Sequence, residues 1–143
     1  MINSRKLKQV VVEKFSTRLS GKIFIGDKTY SIPNKSWIKK EYYNIYKKFM
    51  QDNQLYQWKE NNDCDQFASI YRILAQSLHA KQLQSSAESI TVGEMWYMKD
   101  GYGGHAINLV VVDNFQVMFI EPQNGVQLNL TQEELNTCWL IRF

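Results

Sequence analysis

A cysteine-rich framework, serial metal ligands, membrane-length apolar runs and a strong charge of one sign are all missing from this 143-residue chain. The two cysteines, Cys64 and Cys138, lie far apart and form no metal-ligand spacing. With only two histidines beside them, no metal and no cofactor is expected. Nothing supports a disulfide between them, so a reducing compartment is the simpler reading. Lys and Arg exceed Asp and Glu by 17 to 14, a net charge of +3. That is too mild to point to a nucleic-acid partner. No apolar run approaches the roughly 18 residues of a membrane span, and the N-terminus has no signal-peptide core. The expectation is a cytoplasmic protein with no membrane partner. Two prolines and seven glycines leave no linker, and there are no repeats. Residues 1–143 therefore read as one domain.

What is present suits an ordinary folded protein. Apolar residues make up 44%, charged residues 22% and aromatic residues 13%. The length allows a real core without metal or disulfide help. Residues 1–20 suit a short helix. Ile23-Phe24-Ile25 and Thr29 to Ile32, joined at Gly26-Asp27, read as a hairpin. Ser36 to Gln51 carries Trp37, Ile38, Tyr42, Ile45, Tyr46 and Phe49 at helical spacing. Its polar face carries Lys39, Lys40, Lys47 and Lys48, a solvated face or a basic docking patch. The strongest helix runs from about 63 to 81, with Asp63 as N-cap and Gln66 completing a variant capping box. Strands are expected at 90–98, 105–112 and 115–121, at Val126 to Leu130, and at Trp139 to Phe143. Thr131 with Glu134 caps a short helix between the last two. His79 reads as a helix-end charge or surface residue.

Three short pieces carry the chemistry: Asn62-Asp63-Cys64-Asp65, Gly104-His105-Ala106 and Ile120-Glu121-Pro122. Cys64 opens its helix on the inward stripe, where unpaired N–H groups favour a thiolate. His105, Ile107, Leu109 and Val111 share one strand face, and Phe115, Val117, Phe119 and Glu121 share another. A loop at Val112-Asp113-Asn114 would pair Val111 with Phe115, Leu109 with Val117, and His105 with Glu121. A two-residue turn at Asp113-Asn114 would instead send His105 and Glu121 to opposite faces. The first register delivers a thiol, a base and an orienting carboxylate in order. Gln57 and Trp58, just before Cys64, are candidates to line a cleft, with Gln57 as an oxyanion donor. Trp96-Tyr97 with Tyr102 forms a second ring-rich stretch.

Cys64 opening a helix, His105-Ala106 opening a strand and Glu121-Pro122 closing the next resemble the papain-like cysteine peptidase superfamily in its broad sense. The spacings look like two of its branches: transglutaminase-like domains, and the peptidase domain at the C-terminal end of a fungal agglutinin. Asp63-Cys64-Asp65 with Phe67-Ala68, His105-Ala106 with Asn108, and Glu121-Pro122-Gln123 are also similar to small phage-encoded proteins. The resemblance covers about residues 58–125. It implies an α+β fold, papain-like or transglutaminase-like, with the cysteine helix packed on an antiparallel sheet. It implies Cys64 as nucleophile, His105 as base and acid, and Glu121 as orienting carboxylate. The expected activity is thiol-dependent acyl chemistry: cysteine protease, amidase or transglutaminase-like transferase, acting on a peptide or protein substrate. Papain's residues around its cysteine are absent here, and Trp58 stands where its glutamine would. The alternative is a catalytically inactive scaffold used for binding, as a phage-encoded inhibitor of a host protein or a small-ligand binder. A phage origin would place the chain in the bacterial host cytoplasm.

Overall fold

The computed structural model describes residues 1–15, 19, 21–83, 88–100 and 103–143. Its elements run β1 (Ile2–Asn3), α1 (Ser4–Lys14), β2 (Lys22–Phe24), β3 (Thr29–Ser31), α2 (Lys35–Trp37) and α3 (Tyr43–Asp52). There follow α4 (Cys64–Leu83), β4 (Ser89–Ile90), β5 (Val92–Lys99), β6 (Gly103–Val112) and β7 (Gln116–Ile120). The chain ends with β8 (Gln127–Leu128), α5 (Gln132–Asn136) and β9 (Leu140–Arg142). A π-helical segment, Ile38–Tyr42, joins α2 to α3.

The strands form a six-stranded sheet in the order β2-β9-β5-β6-β7-β8 and a three-stranded sheet in the order β1-β3-β4. The long antiparallel pair β5–β6 is the centre, from Val92 opposite Val110 to Lys99 opposite Gly103. β6 is buried without a break from Ala106 to Val112, because both faces of the sheet are covered. On one face Leu7, Val11 and Phe15 pack with Met95, Ile107, Leu109 and Phe119. On the other, Phe67, Tyr71 and Ala75 of α4 pack with Val110, Val112, Met118 and Ile120. Tyrosines thicken that second layer. Tyr71 meets Tyr42 and Tyr46 edge to face at centroid distances of 4.7 and 4.9 Å. Buried hydroxyls need acceptors: Tyr42 donates to the Tyr71 carbonyl and Tyr46 to that of Phe67 at 3.2 Å. No helix among the described residues is long and apolar enough to cross a membrane.

Three expectations are corrected. The hairpin at residues 23–32 does not form: β2 joins the large sheet beside β9, and β3 joins the small one between β1 and β4. The sheet is not simply antiparallel, since β9 runs parallel to β2 and β4 parallel to β3. Both pairings join segments far apart in sequence, which local periodicity cannot reveal. The β6–β7 register also differs. The turn is Asp113–Phe115, with Asn114 and Phe115 both at positive φ. Val112 therefore faces Gln116, and Leu109 faces Phe119. The slip from the expected pairing is two residues, so each side chain keeps its face.

Candidate functional site

The N-terminus of α4 places Cys64. Asp63 Oδ1 accepts from the Asp65 N–H at 3.4 Å, and the Asp63 N–H donates to Gln66 Oε1 at 3.1 Å. That reciprocal arrangement satisfies N–H groups at the helix entrance and fixes where the helix begins. The preceding loop is tied down by Asn62, whose buried amide donates to the Leu55 and Gln57 carbonyls at 2.7 and 3.1 Å. Cys64 is half-buried and free, as is the buried Cys138.

β6 and the end of β7 place the other two groups. His105 lies opposite Tyr97, and the two rings meet edge to face at 5.9 Å. Glu121 follows β7, where the turn to β8 grips its backbone. Its carbonyl accepts from Gly125 at 2.7 Å, and its N–H donates to Val126 at 2.9 Å. Gly125 has φ of 74°, and a Cβ there would lie 2.6 Å from the Tyr43 ring. Only glycine makes this turn without strain.

These elements bring the three residues together. His105 Nε2 donates to Glu121 Oε2 at 2.8 Å, with side chains 12% and 9% exposed. Cys64 lines the same cleft as His105 and acts on the ring. Burial works against the charged ring. The interactions with Cys64 and with the Glu121 carboxylate outweigh it and lift the His105 pKa to about 9. The imidazole is therefore charged at neutral pH. Asp65 is pushed up by its hydrogen bond with Asp63, then by burial and by the Asp63 charge.

A cleft of about 280 Å³ opens over these groups, lined by Asp63, Cys64, Asp65, Trp96, His105 and Trp139 among others. Trp96 and Trp139 stand edge to face at 6.4 Å. Trp96 is held from beneath by Glu94, which is fully buried. Glu94 Oε1 accepts from the Trp96 indole N–H at 3.2 Å and pairs with Arg142 Nε at 2.5 Å. Its Oε2 accepts from Ser69 at 3.1 Å and from Arg72 at 3.3 Å. A buried carboxylate needs such partners, and here they also fix the indole that walls the cleft. The roles of Glu94 and Trp139 were not read from the sequence. Trp139 reaches the cleft because its N–H donates to the Trp96 carbonyl at 3.0 Å, where β9 joins β5.

Other sequence candidates are corrected. Gln57 and Trp58 do not line this cleft. Gln57 opens into a separate hollow with Gln51, Gln54, Tyr56 and Lys59, and Trp58 is 55% exposed. The Lys59–Asn62 bridge and the Asn62 amide turn the loop that way. His79 is buried rather than a surface charge. Tyr102 lies outside the described residues. Among the described residues, no group of three or more His, Cys, Asp or Glu could hold a metal ion.

The cleft offers two kinds of chemistry. A thiol, an imidazole and a carboxylate in sequence is the geometry that nucleophilic catalysis needs. Two fixed indoles beside two carboxylates form a site with flat apolar walls and hydroxyl acceptors. Fold and site together define a compact α+β domain with one aromatic, acidic cleft at a helix N-terminus. The agglutinin C-terminal family matches residues 30–127, more than half of the chain, and the chain belongs to that family. Among curated proteins, none matches the sequence. Two solved structures share the fold. One is described as the PSL1a-E64 complex, with a TM-score of 0.78 and 20% identity over 99% of this chain and 50% of that one. The other is Polyporus squamosus lectin bound to the human-type influenza-binding epitope Neu5Aca2-6Galb1-4GlcNAc, with a TM-score of 0.76 and 19% identity over 99% and 49%. The chain thus spans about half the length of these proteins.

These findings correct the broad identification as a papain-like cysteine peptidase or transglutaminase-like enzyme. The family is the agglutinin C-terminal one, and the expected papain-like or transglutaminase-like fold gives way to the fold shared with the Polyporus squamosus lectin structure. The expected protease, amidase or transferase activity, the hydrolase assignment and the peptide substrate give way with it. The physical reason is that short motifs in a given order fix a geometry, and one geometry serves several functions.

Proposed function

We propose that this chain is a carbohydrate-binding domain of the agglutinin type, acting as one unit over residues 1–143. The ligand site is the cleft that Trp96 and Trp139 line together. The observation that carries this reading is the pairing of those indoles with Asp63 and Asp65 on one rim. An indole face packs against the apolar C–H face of a sugar ring, and carboxylates accept from its hydroxyls. The volume, about 280 Å³, lies just below the usual range of ligand pockets and suits a single ring. The relationship to a lectin with a bound glycan supports the class of ligand. In this reading Cys64 and His105 form the polar end of the cleft, and Glu121 holds the charged imidazole in place. A neutral hexose is favoured over an anionic sugar, because Asp63 and Asp65 share its rim.

Calorimetric titration with methyl galactoside, N-acetyllactosamine and the α2-6-sialylated trisaccharide tests it. Saturable binding of a neutral sugar is expected, weakened tenfold or more by Trp139→Ala. Failure of all three sugars, or binding indifferent to Trp139→Ala, would overturn it. So would hydrolysis of a peptide or amide that Cys64→Ala abolishes, which would instead make Cys64, His105 and Glu121 a catalytic set.

A further inference from the structure

A second hollow lies between α1 and the β6–β7 turn, and shares no lining residue with the cleft. Its volume is about 410 Å³, within the range of small-molecule pockets. From α1 it takes Lys6, Val10, Glu13 and Lys14. These stand at i, i+4, i+7 and i+8, so they form one stripe along the helix. Opposite them are Asn114, Phe115 and Val117. Buried Val10 and half-buried Val117 belong to the core on this side of the sheet and give the hollow an apolar floor. Glu13, Lys14, Asn114 and Phe115 are exposed and Lys6 is half-buried, so a ligand can reach each of them.

Phe115 is the anomaly here. Asn114 has φ of 59° and Phe115 of 57°. Two consecutive left-handed residues make a tight hairpin turn, and Asn-Gly is the pair that suits it. Asn114 fits the first position. At the second, a phenylalanine stands where glycine would be free of strain. Burial offsets only part of that strain, because Phe115 is 47% exposed. Strained residues of this kind cluster at ligand clamps. The Lys6 ammonium lies over the ring, 5.9 Å from its centroid.

Charge is uneven along the stripe. At one end Lys14 lies beside Glu13, whose Oε1 accepts from Gln9 at 2.7 Å. At the other end Lys6 donates to Gln9 Oε1 at 3.4 Å, and an ammonium has two further donors to offer. α1 as a whole carries Arg5, Lys6, Lys8 and Lys14 against Glu13 alone, a field that draws anions toward it.

We propose that this hollow binds a small aromatic monocarboxylate, its ring against Phe115 and its carboxylate on Lys6. The chemistry selects that class. A planar ring can stack on an exposed phenyl ring or meet it edge to face. A carboxylate accepts from an ammonium more strongly than a neutral amide does. A cationic ring would be repelled by Lys6 and Lys14, and Glu13 opposes a second negative charge.

The test is an NMR titration of the full chain with 3-phenylpropionate and with its neutral counterpart, 3-phenylpropanamide. Saturable shifts are expected at the Phe115 ring and at the Val10 and Val117 methyl groups, with Trp96, Trp139 and His105 unmoved. The acid should bind at least about threefold more tightly than the amide, the scale of one exposed ion pair. Lys6→Gln should erase that difference. Phe115→Gly removes the ring and suits the left-handed backbone, and it should weaken both probes about fivefold or more. If that variant fails to fold, Phe115→Asn also tolerates the backbone and should act in the same way. Equal binding of acid and amide, no shift at Phe115, binding indifferent to its substitution, or shifts centred on Trp96 and Trp139 would each overturn the proposal. The glycan reading rests on other residues, so either can fail alone.

Discussion

His105 and His79 are both withdrawn from water, yet they hold their protons in opposite ways. The His105 side chain is 12% exposed and His79 is 9% exposed. Burial opposes charge at both. At His105 the interaction with Cys64 and the carboxylate of Glu121, 2.8 Å away, reverse that effect, and the pKa rises to about 9. At His79 the only opposing influence is the charge of Glu88, and the pKa falls. The same side chain becomes a cation in one place and a neutral heterocycle in the other. The difference lies in a contact partner, and that partner is supplied by the turn that grips the Glu121 backbone.

The sharpest consequence falls on the two thiols, since each cysteine has a different neighbourhood. Cys64 sits beside the charged His105 at a helix N-terminus. Cys138 is fully buried, and burial pushes its thiol up to about 11, against a smaller lowering by the Leu140 backbone. Iodoacetamide at pH 7.5 should label Cys64 on the order of 100-fold faster than Cys138, read by peptide mass spectrometry. His105→Ala should cut that ratio by about tenfold. Equal labelling would mean that the imidazole does not act on the thiol.

Breaking the partner itself comes next. Glu121→Gln keeps shape and hydrogen bonding and removes the charge. The His105 pKa should fall by about one unit or more, toward the state of His79, as followed by NMR titration. A value that stays near 9 would assign the shift to Cys64 instead. The same coupling acts on stability. A pKa raised above its unfolded value stabilises the fold fully below about pH 6.5 and loses that contribution as pH rises through about 9. Urea unfolding should therefore show a decline between pH 6.5 and 9 of up to about 3 kcal/mol. His105→Gln should flatten it. A wild-type curve that is flat across that window would contradict the ion pair.

Part of this arrangement was legible in the sequence. The capping residues Asp63 and Gln66 mark where α4 begins, and strand parity puts His105 and Glu121 on one face, because both signals are local. Thr131 and Glu134 form the capping box their spacing predicts. The walls of the cleft were not legible. Trp96 and Trp139 meet only because β9 adds to β5, and Glu94 reads as an ordinary strand carboxylate until Ser69, Arg72 and Arg142 close on it from two other elements. Gln57 was misplaced because the Lys59–Asn62 bridge turns its loop away from Cys64. His79 was misplaced because helix position alone does not show that residues 31–37 fold over it. Function was the least legible of all, since Cys64, His105 and Glu121 define a geometry that several chemistries can use.

The smallest expected effect concerns the unpaired histidine. Glu88 accepts from the Ser31 hydroxyl at 2.9 Å, and a glutamine oxygen can accept the same bond. Glu88→Gln therefore removes a charge while keeping the contact that joins it to β3. If burial governs His79, its pKa should fall further, but only by a few tenths of a unit, because the charge is the lesser of the two influences. The His105 titration should not move. A drop at His79 of a full unit or more would mean that charge, not burial, sets its state. The contrast between the two histidines would then be one of carboxylate distance alone.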